Sequence, residues 1–351
     1  MNMKEIIESC NKDNGTFNGA ILMKSEDKVL VEQGYGYANR SEKLSNTAST
    51  RFGIASGAKI FTAVAILQLV EKGLLELDTL IGDCIADTVP SFHSGITVRH
   101  LLTHSSGIPD YFDEETMTEI NAYEELWTNL PMYTITSLQS FLPLFENKRM
   151  KFSPGERFSY SNSGYILLGL IVEHITGLGF QEYVELNIFN ICGMHDSGYY
   201  RLDQLPARTA VGYIEEGDTW RSNIYSVPVI GGPDGGVFTT VYDLEKFWSA
   251  LMNHLLLSKR LTDIMLFPHQ KEDNHIYYGI GVWILIFHNE VFKYFVMGSD
   301  PGVEMQSSLY PKRNAQAHVL SNNGKGAGAI ARKFDEMLFH EGEVASDSKG
   351  E

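Results

Sequence analysis

The chain has 351 residues, 43% hydrophobic and 21% charged, which is the make-up of a globular protein of about two domain-sized units with a core large enough to need no covalent staples. Its 28 basic residues against 44 acidic ones give a formal net charge of −16, a field that repels phosphate backbones and anionic lipid heads, so nucleic acid is not an expected partner. Three scattered cysteines, Cys10, Cys84 and Cys192, form no C-x-x-C pair and offer neither a disulfide framework nor a zinc site.

In chain order, residues 3–11 fit a short helix. The β-rich runs 19–24 and 29–36, separated by the polar Ser25-Glu26-Asp27, fit an antiparallel hairpin. Residues 1–15 lack the apolar run of an export signal. No window reaches the ~18 apolar residues of a spanning helix, the best being residues 165–172. A cytoplasmic chain with no transmembrane anchor is therefore expected, or an extracytoplasmic one if a leader precedes Met1. Over 59–72 the residues Ile60, Phe61, Val64, Ile66, Leu67, Leu69 and Val70 nearly surround a helix that Gly73 would end. A helix apolar on all sides belongs in the middle of a protein.

Residues 74–265 read as mainly helical, with clear patterns over 165–176 and 243–254. Strand character returns in 277–287 and 291–297, joined by the turn His288-Asn289-Glu290, and again in 306–310 and 315–321; residues 328–339 follow as an amphipathic helix. The expected fold class is α/β (α+β): an antiparallel sheet built from 1–58 and 266–341, flanked by the terminal helices, with the mainly helical 59–265 inserted and a disordered tail over 342–351.

Three short stretches could carry chemistry. Ser56-Gly57-Ala58-Lys59 sets a hydroxyl and an amine three residues apart, on one face of a helix. A serine hydroxyl is a weak nucleophile until a neighbouring base takes its proton. The spacing alone is common, since Ser9/Lys12, Ser25/Lys28 and Ser346/Lys349 share it; an N-cap serine beside a snorkelling lysine would look the same. What separates Ser56 is its place at the start of the most apolar helix, where free N–H groups favour developing negative charge and a lysine is partly desolvated. The second stretch is Tyr160-Ser161-Asn162, within PGERFSYSNSGYILLG. Its phenol can join a proton relay and its carboxamide can hold a substrate amide. Tyr37-Ala38-Asn39 repeats that pattern at a strand end, where a packing tyrosine is the simpler reading. The third is Val296-Met297-Gly298-Ser299, followed by Asp300-Pro301-Gly302, a strand edge whose Gly298 permits close approach and whose Ser299 N–H, with that of Ser56, can form an oxyanion hole.

Other candidates are weaker. His100 and His104 are spaced like metal ligands, but no H-E-x-x-H pattern or third ligand accompanies them. Residues 231–236 are glycine-rich without the Lys-Ser/Thr ending of a phosphate loop, and read as a turn near the cleft. Neither a metal nor another cofactor is expected.

Together the three stretches resemble the serine β-lactamases and penicillin-recognising enzymes, in the branch of class C β-lactamases, D,D-carboxypeptidases and related esterases. GYGYANR at 34–40, LLTHSSGIPDY at 101–111 and GGPDGGVFTTVYDL at 231–244 extend the likeness over about residues 17–321, in the family's order. The resemblance implies that Ser56 is the acylated nucleophile and Lys59 its paired amine. It also implies that Tyr160 is a general base that activates the deacylating water, while Asn162 binds the acyl amide. Which of Lys59 and Tyr160 takes the first proton is left open. One position departs from the pattern: relatives commonly carry Lys or His at Val296, a cation that helps hold a substrate carboxylate. Lys293 lies three residues away, on the opposite sheet face unless a bulge intervenes.

The expected function is thus a serine hydrolase acting through an acyl-enzyme on a small ester, amide or lactam, taking a small-molecule or short-peptide acyl donor. Esterase or D-amino-acid peptidase activity is at least as expected as efficient β-lactam turnover. The alternative is a penicillin-binding or ligand-sensing protein with the same pocket and no turnover.

Overall fold

Alternation along the first hairpin already decides which way the sheet faces. The computed structural model describes residues 7, 16–26, 28–85, 92, 94–117, 122–128 and 130–347. Strand β1 (Gly19–Ser25) pairs antiparallel with β2 (Lys28–Tyr35). Successive side chains of a strand point to opposite faces, so Ala20 and Leu22 enter the main core while Ile21 and Met23 enter a second cluster. The other strands of this sheet come from the far end of the chain: β3 (Gln270–Lys271), β4 (Ile276–Tyr278), β5 (Trp283–Phe287), β6 (Glu290–Asp300), β7 (Val303–Tyr310) and β8 (Ala315–Ser321). They assemble in the order β2-β1-β8-β7-β6-β5-β4-β3, every pairing antiparallel. The antiparallel sheet drawn from both chain ends is as expected.

The run over 277–287 is not one strand. It breaks into β4 and β5 around Gly279 and Gly281. Gly281 has φ +71°, and a Cβ there would lie 2.4 Å from that of Ala63. Its β-rich composition gives no sign that this loop must press against a helix, which only glycine permits.

The apolar helix forms as α1 (Lys59–Glu71), with every residue from 59 to 69 buried and Gly73 at φ +68° behind its end. Beside it lie α2 (Asn162–Thr176), capped by the Ser161 hydroxyl, and α3 (Val241–Met252), capped by Thr240. These helices and the inner sheet face share one core, to which β6 contributes Val296 and β7 Met305. On the outer face α4 (Ala327–Asp347) packs Ile330, Phe334 and Leu338 against Ile21, Met23 and Val319. That helix continues past Phe339, so residues 342–347 are helical; residues 348–351 lie outside the described part, as does the expected 3–11 helix except for Ile7. Among the described residues no single helix is long and apolar enough to cross a membrane.

Candidate active site

Ser56 sits in a 3₁₀ turn, Ala55–Ala58, that leads directly into α1. Ala55 adopts φ +45°, a left-handed conformation that costs a residue with a Cβ roughly 1–2 kcal/mol. Strain is therefore held at the residue that turns Ser56 outward. Gly235 packs across the same peptide; a Cβ on it would lie 3.3 Å from the Ala55 carbonyl. Residues 231–236 do form a turn at the cleft, closed by Gly232 N–H donating to Gly235 O at 2.8 Å.

Lys59 is 2% exposed, and its Nζ makes three contacts: Ser56 Oγ at 3.0 Å, Asn162 Oδ1 at 2.8 Å and the Asp234 carbonyl at 2.6 Å. Burial pushes this amine below the ordinary lysine range, opposed by the charges of Asp234, Glu114, Asp110 and Asp300. Burial holds the Tyr160 phenol well above the ordinary tyrosine range, opposed by the neighbouring Ser56 hydroxyl. Its ring is held between His104, 4.2 Å away between centroids, and Trp283 at 6.2 Å, stacked at 12°. His104 Nδ1 accepts the Ser161 N–H at 3.0 Å, and His100 Nδ1 accepts the Thr97 N–H in a capping box. Both histidines thus serve local structure.

Strand β6 closes the site. A Cβ on Gly298 would lie 2.3 Å from the Ile54 carbonyl oxygen and 2.8 Å from Ser56 N, so only glycine lets the strand run this close to the Ser56 turn. Ser299 follows at the exposed lip. Ser56, Lys59, Tyr160, Asn162, Gly298 and Ser299, distant in sequence, are brought to one place. Val296 instead points into the core at 4% exposure, and Lys293 lies on the outer sheet face, ion-paired with Asp335 at 2.7 Å. The strand does carry a bulge, where β5 partners step from Val291 to Lys293. It precedes both positions and leaves their opposite parity intact.

Sequence reasoning gave no role to Asp110, Tyr111 and Asp234. Asp110 accepts N–H groups from Asn162 and Ser163 at 2.7 and 3.0 Å. Tyr111 donates its hydroxyl to Asp234. They stand in two of the stretches that carried the resemblance, but no spacing rule links them to Lys59. The cleft in front of Ser56 measures about 980 Å³, with Tyr160, Trp283, Glu114, Asp234, Asp300 and Arg332 among its walls. Asp300 is pushed up to about 7, by burial first and then by Asp234.

A family model described as Beta-lactamase matches residues 3–275. Penicillin-binding protein 4* of Bacillus subtilis (strain 168) is 30% identical over 345 residues, 92% of this chain and 72% of that protein. The crystal structure of a penicillin binding protein from Bacillus halodurans superposes with a TM-score of 0.89 at 46% identity, over 95% of this chain and 99% of that one. The octameric penicillin-binding protein homologue from Pyrococcus abyssi gives a TM-score of 0.81 at 27% identity, over 96% and 77%. With a family model covering most of its length and the Ser56 turn, the start of α2 and the strand edge of β6 meeting in one cleft, the chain belongs to the beta-lactamase family.

Proposed function

We propose that this chain is a serine hydrolase in which Ser56 is acylated by a small ester or amide and Lys59 takes the first proton. The contact set of Lys59 Nζ carries the reading. Asn162 Oδ1 and the Asp234 carbonyl can only accept hydrogen bonds, whereas Ser56 Oγ can also donate. A neutral amine has two hydrogens and one lone pair, which matches two acceptors and one hydroxyl. Burial favours that state, lowering the amine and raising the Tyr160 phenol. The Ser56 proton passes to Lys59 as Oγ bonds the acyl carbon, and the N–H groups of Ser56 and Ser299 receive the oxyanion. Tyr160 gives its proton to the leaving group and is reprotonated from Lys59. In the second half-reaction water attacks the acyl carbon while the Tyr160–Lys59 pair takes its proton and returns one to the departing Ser56 Oγ.

The charge around the cleft narrows the acyl donor. Glu114, Asp234 and Asp300 line it; the cations in its walls include Lys325, engaged by Glu215 at 2.9 Å, and Arg332 on the terminal helix. Val296 supplies no cation, and Lys293 is held on the other face. A neutral or amine-bearing donor is therefore favoured over one with a carboxylate, which supports an esterase or amidase ahead of a D,D-carboxypeptidase or an efficient β-lactamase. The relatives named as penicillin-binding proteins support acylation by penicillin as well.

The test is to incubate wild type and Ser56→Ala with a p-nitrophenyl ester and with a penicillin, following product release and intact mass. Release that Ser56→Ala abolishes is expected. An adduct without release would favour the binding-protein alternative, and neither adduct nor release would overturn both. A series of p-nitrophenyl esters with aminoacyl, acetyl and succinyl groups should fall in that order of kcat/KM, and a succinyl preference would sink the charge reading.

A further inference from the structure

The two acceptors around Lys59 are held by two consecutive residues. Asp110, 3% exposed, receives the N–H groups of Asn162, Ser163 and Tyr111 at 2.7, 3.0 and 2.7 Å and the Ser163 hydroxyl at 2.9 Å. It therefore fastens the first turn of α2, whose N–H groups have no partners within the helix, and with it Asn162, the first acceptor for Lys59. Tyr111 reaches the other way. Its hydroxyl donates to Oδ2 of Asp234, whose carbonyl is the second acceptor. The dipeptide is itself anchored: Lys148 Nζ donates to the Asp110 carbonyl at 3.0 Å, and the Tyr111 N–H also donates to Ser163 Oγ at 2.9 Å. Among the described residues neither side chain is hydrogen-bonded to Ser56 or Lys59.

We infer that Asp110 and Tyr111 are positioning residues: by fixing Asn162 and Asp234 on two sides of Lys59 Nζ, they leave its lone pair a single direction, toward the Ser56 hydroxyl. This rests on the reading of Lys59 as first base. The brace acts on orientation, where displacements near 1 Å cost reactions of this kind up to about a hundredfold. The titratable groups facing Lys59 are Asp110, Glu114, Asp234 and Asp300, the imidazole of His104, and the rings of Tyr160 and Tyr165 at 5.0 and 5.6 Å. Of these, the two carboxylates in the brace are the ones whose partners a point substitution can release without vacating the cleft.

The experiment is the rate of Ser56 acylation by p-nitrophenyl acetate between pH 5 and 9, in wild type, Tyr111→Phe, Asp110→Asn and the double variant, with thermal melts of each. Tyr111→Phe removes only a hydroxyl, so it keeps the test open if Asp110→Asn folds poorly. Each single variant is expected to slow acylation about tenfold and to move the acid limb of the profile to lower pH, since acceptors loosened from Lys59 hold its ammonium form less well and Asp110→Asn also removes a charge that raises this amine. The double variant should fall by less than the product of the two, because both act through one amine. A lowered melting temperature with the acid limb unmoved in both single variants would overturn the inference, leaving the pair a purely structural role. Release that persists in Ser56→Ala would instead overturn the serine reading, so the two failures are distinguishable.

Discussion

Two buried lysines on opposite sides of one sheet show what burial alone does not decide. Lys59 and Lys293 are 2% and 3% exposed, and burial lowers the pKa of both. Lys293 has a carboxylate in contact, Asp335 at 2.7 Å, which holds it as a cation. Among the described residues the hydrogen-bond partners of Lys59 Nζ are a carboxamide, a carbonyl and a hydroxyl, its carboxylates lying further off. A charged amine is expensive in a dry interior unless an opposite charge touches it. The lysine without one is the lysine that can give up its proton and act as a base.

The largest effect should come from Lys59→Met, with acylation falling about 10³-fold as the base is lost; a loss under tenfold, measured on the same ester, would break the contrast with Lys293. Gly298→Ala comes next. Its methyl has no room beside the Ile54 carbonyl and Ser56 N, so strand and nucleophile must separate, and kcat/KM should drop about a hundredfold. Lys293→Met reverses the pattern. Turnover should stay within about twofold of wild type while unfolding free energy falls by about 3 kcal/mol, the cost of breaking a buried pair, read by urea denaturation.

The smallest effect is in pH dependence. Asp110 and Asp300 are pushed up from the ordinary carboxylate range to about 6 and about 7. A carboxyl with a raised folded-state pKa stabilises the fold below its unfolded value, and that contribution is lost as pH rises through the folded value. Their contribution to stability should therefore decline between pH 4 and 7, against a rise contributed by His104 and His318, which burial holds neutral, and Asp300→Asn should remove the upper part of the decline from the slope read in thermal melts. An unchanged slope would mean that Asp300 does not carry this charge penalty.

How legible each part was follows from how local its cause is. The hairpin, the helix apolar on every side and the terminal strands were readable because period-two and all-round apolar patterns leave few other ways to bury them. The break at Gly279 and Gly281 was not, because the reason is the approach of α1, a contact between segments about two hundred positions apart. In the same way Ser56, Lys59, Tyr160 and Asn162 were readable from short spacing and a family resemblance, while Asp110, Tyr111 and Asp234 were not, since their partners lie in other elements.

The sequence by itself determined that a hydroxyl and an amine share the start of the most buried helix, that Val296 puts no cation at the strand edge, and that Lys293 has the wrong parity to replace it unless a bulge intervenes; the strand pairing decided that the bulge precedes both positions. Periodicity fixes such matters along a single element. Only the tertiary structure decided that Lys59 meets two pure acceptors and one hydroxyl, and that β6 presses to within contact of the Ser56 turn. Those depend on packing between elements, where the position of each group is set by what every other element leaves free.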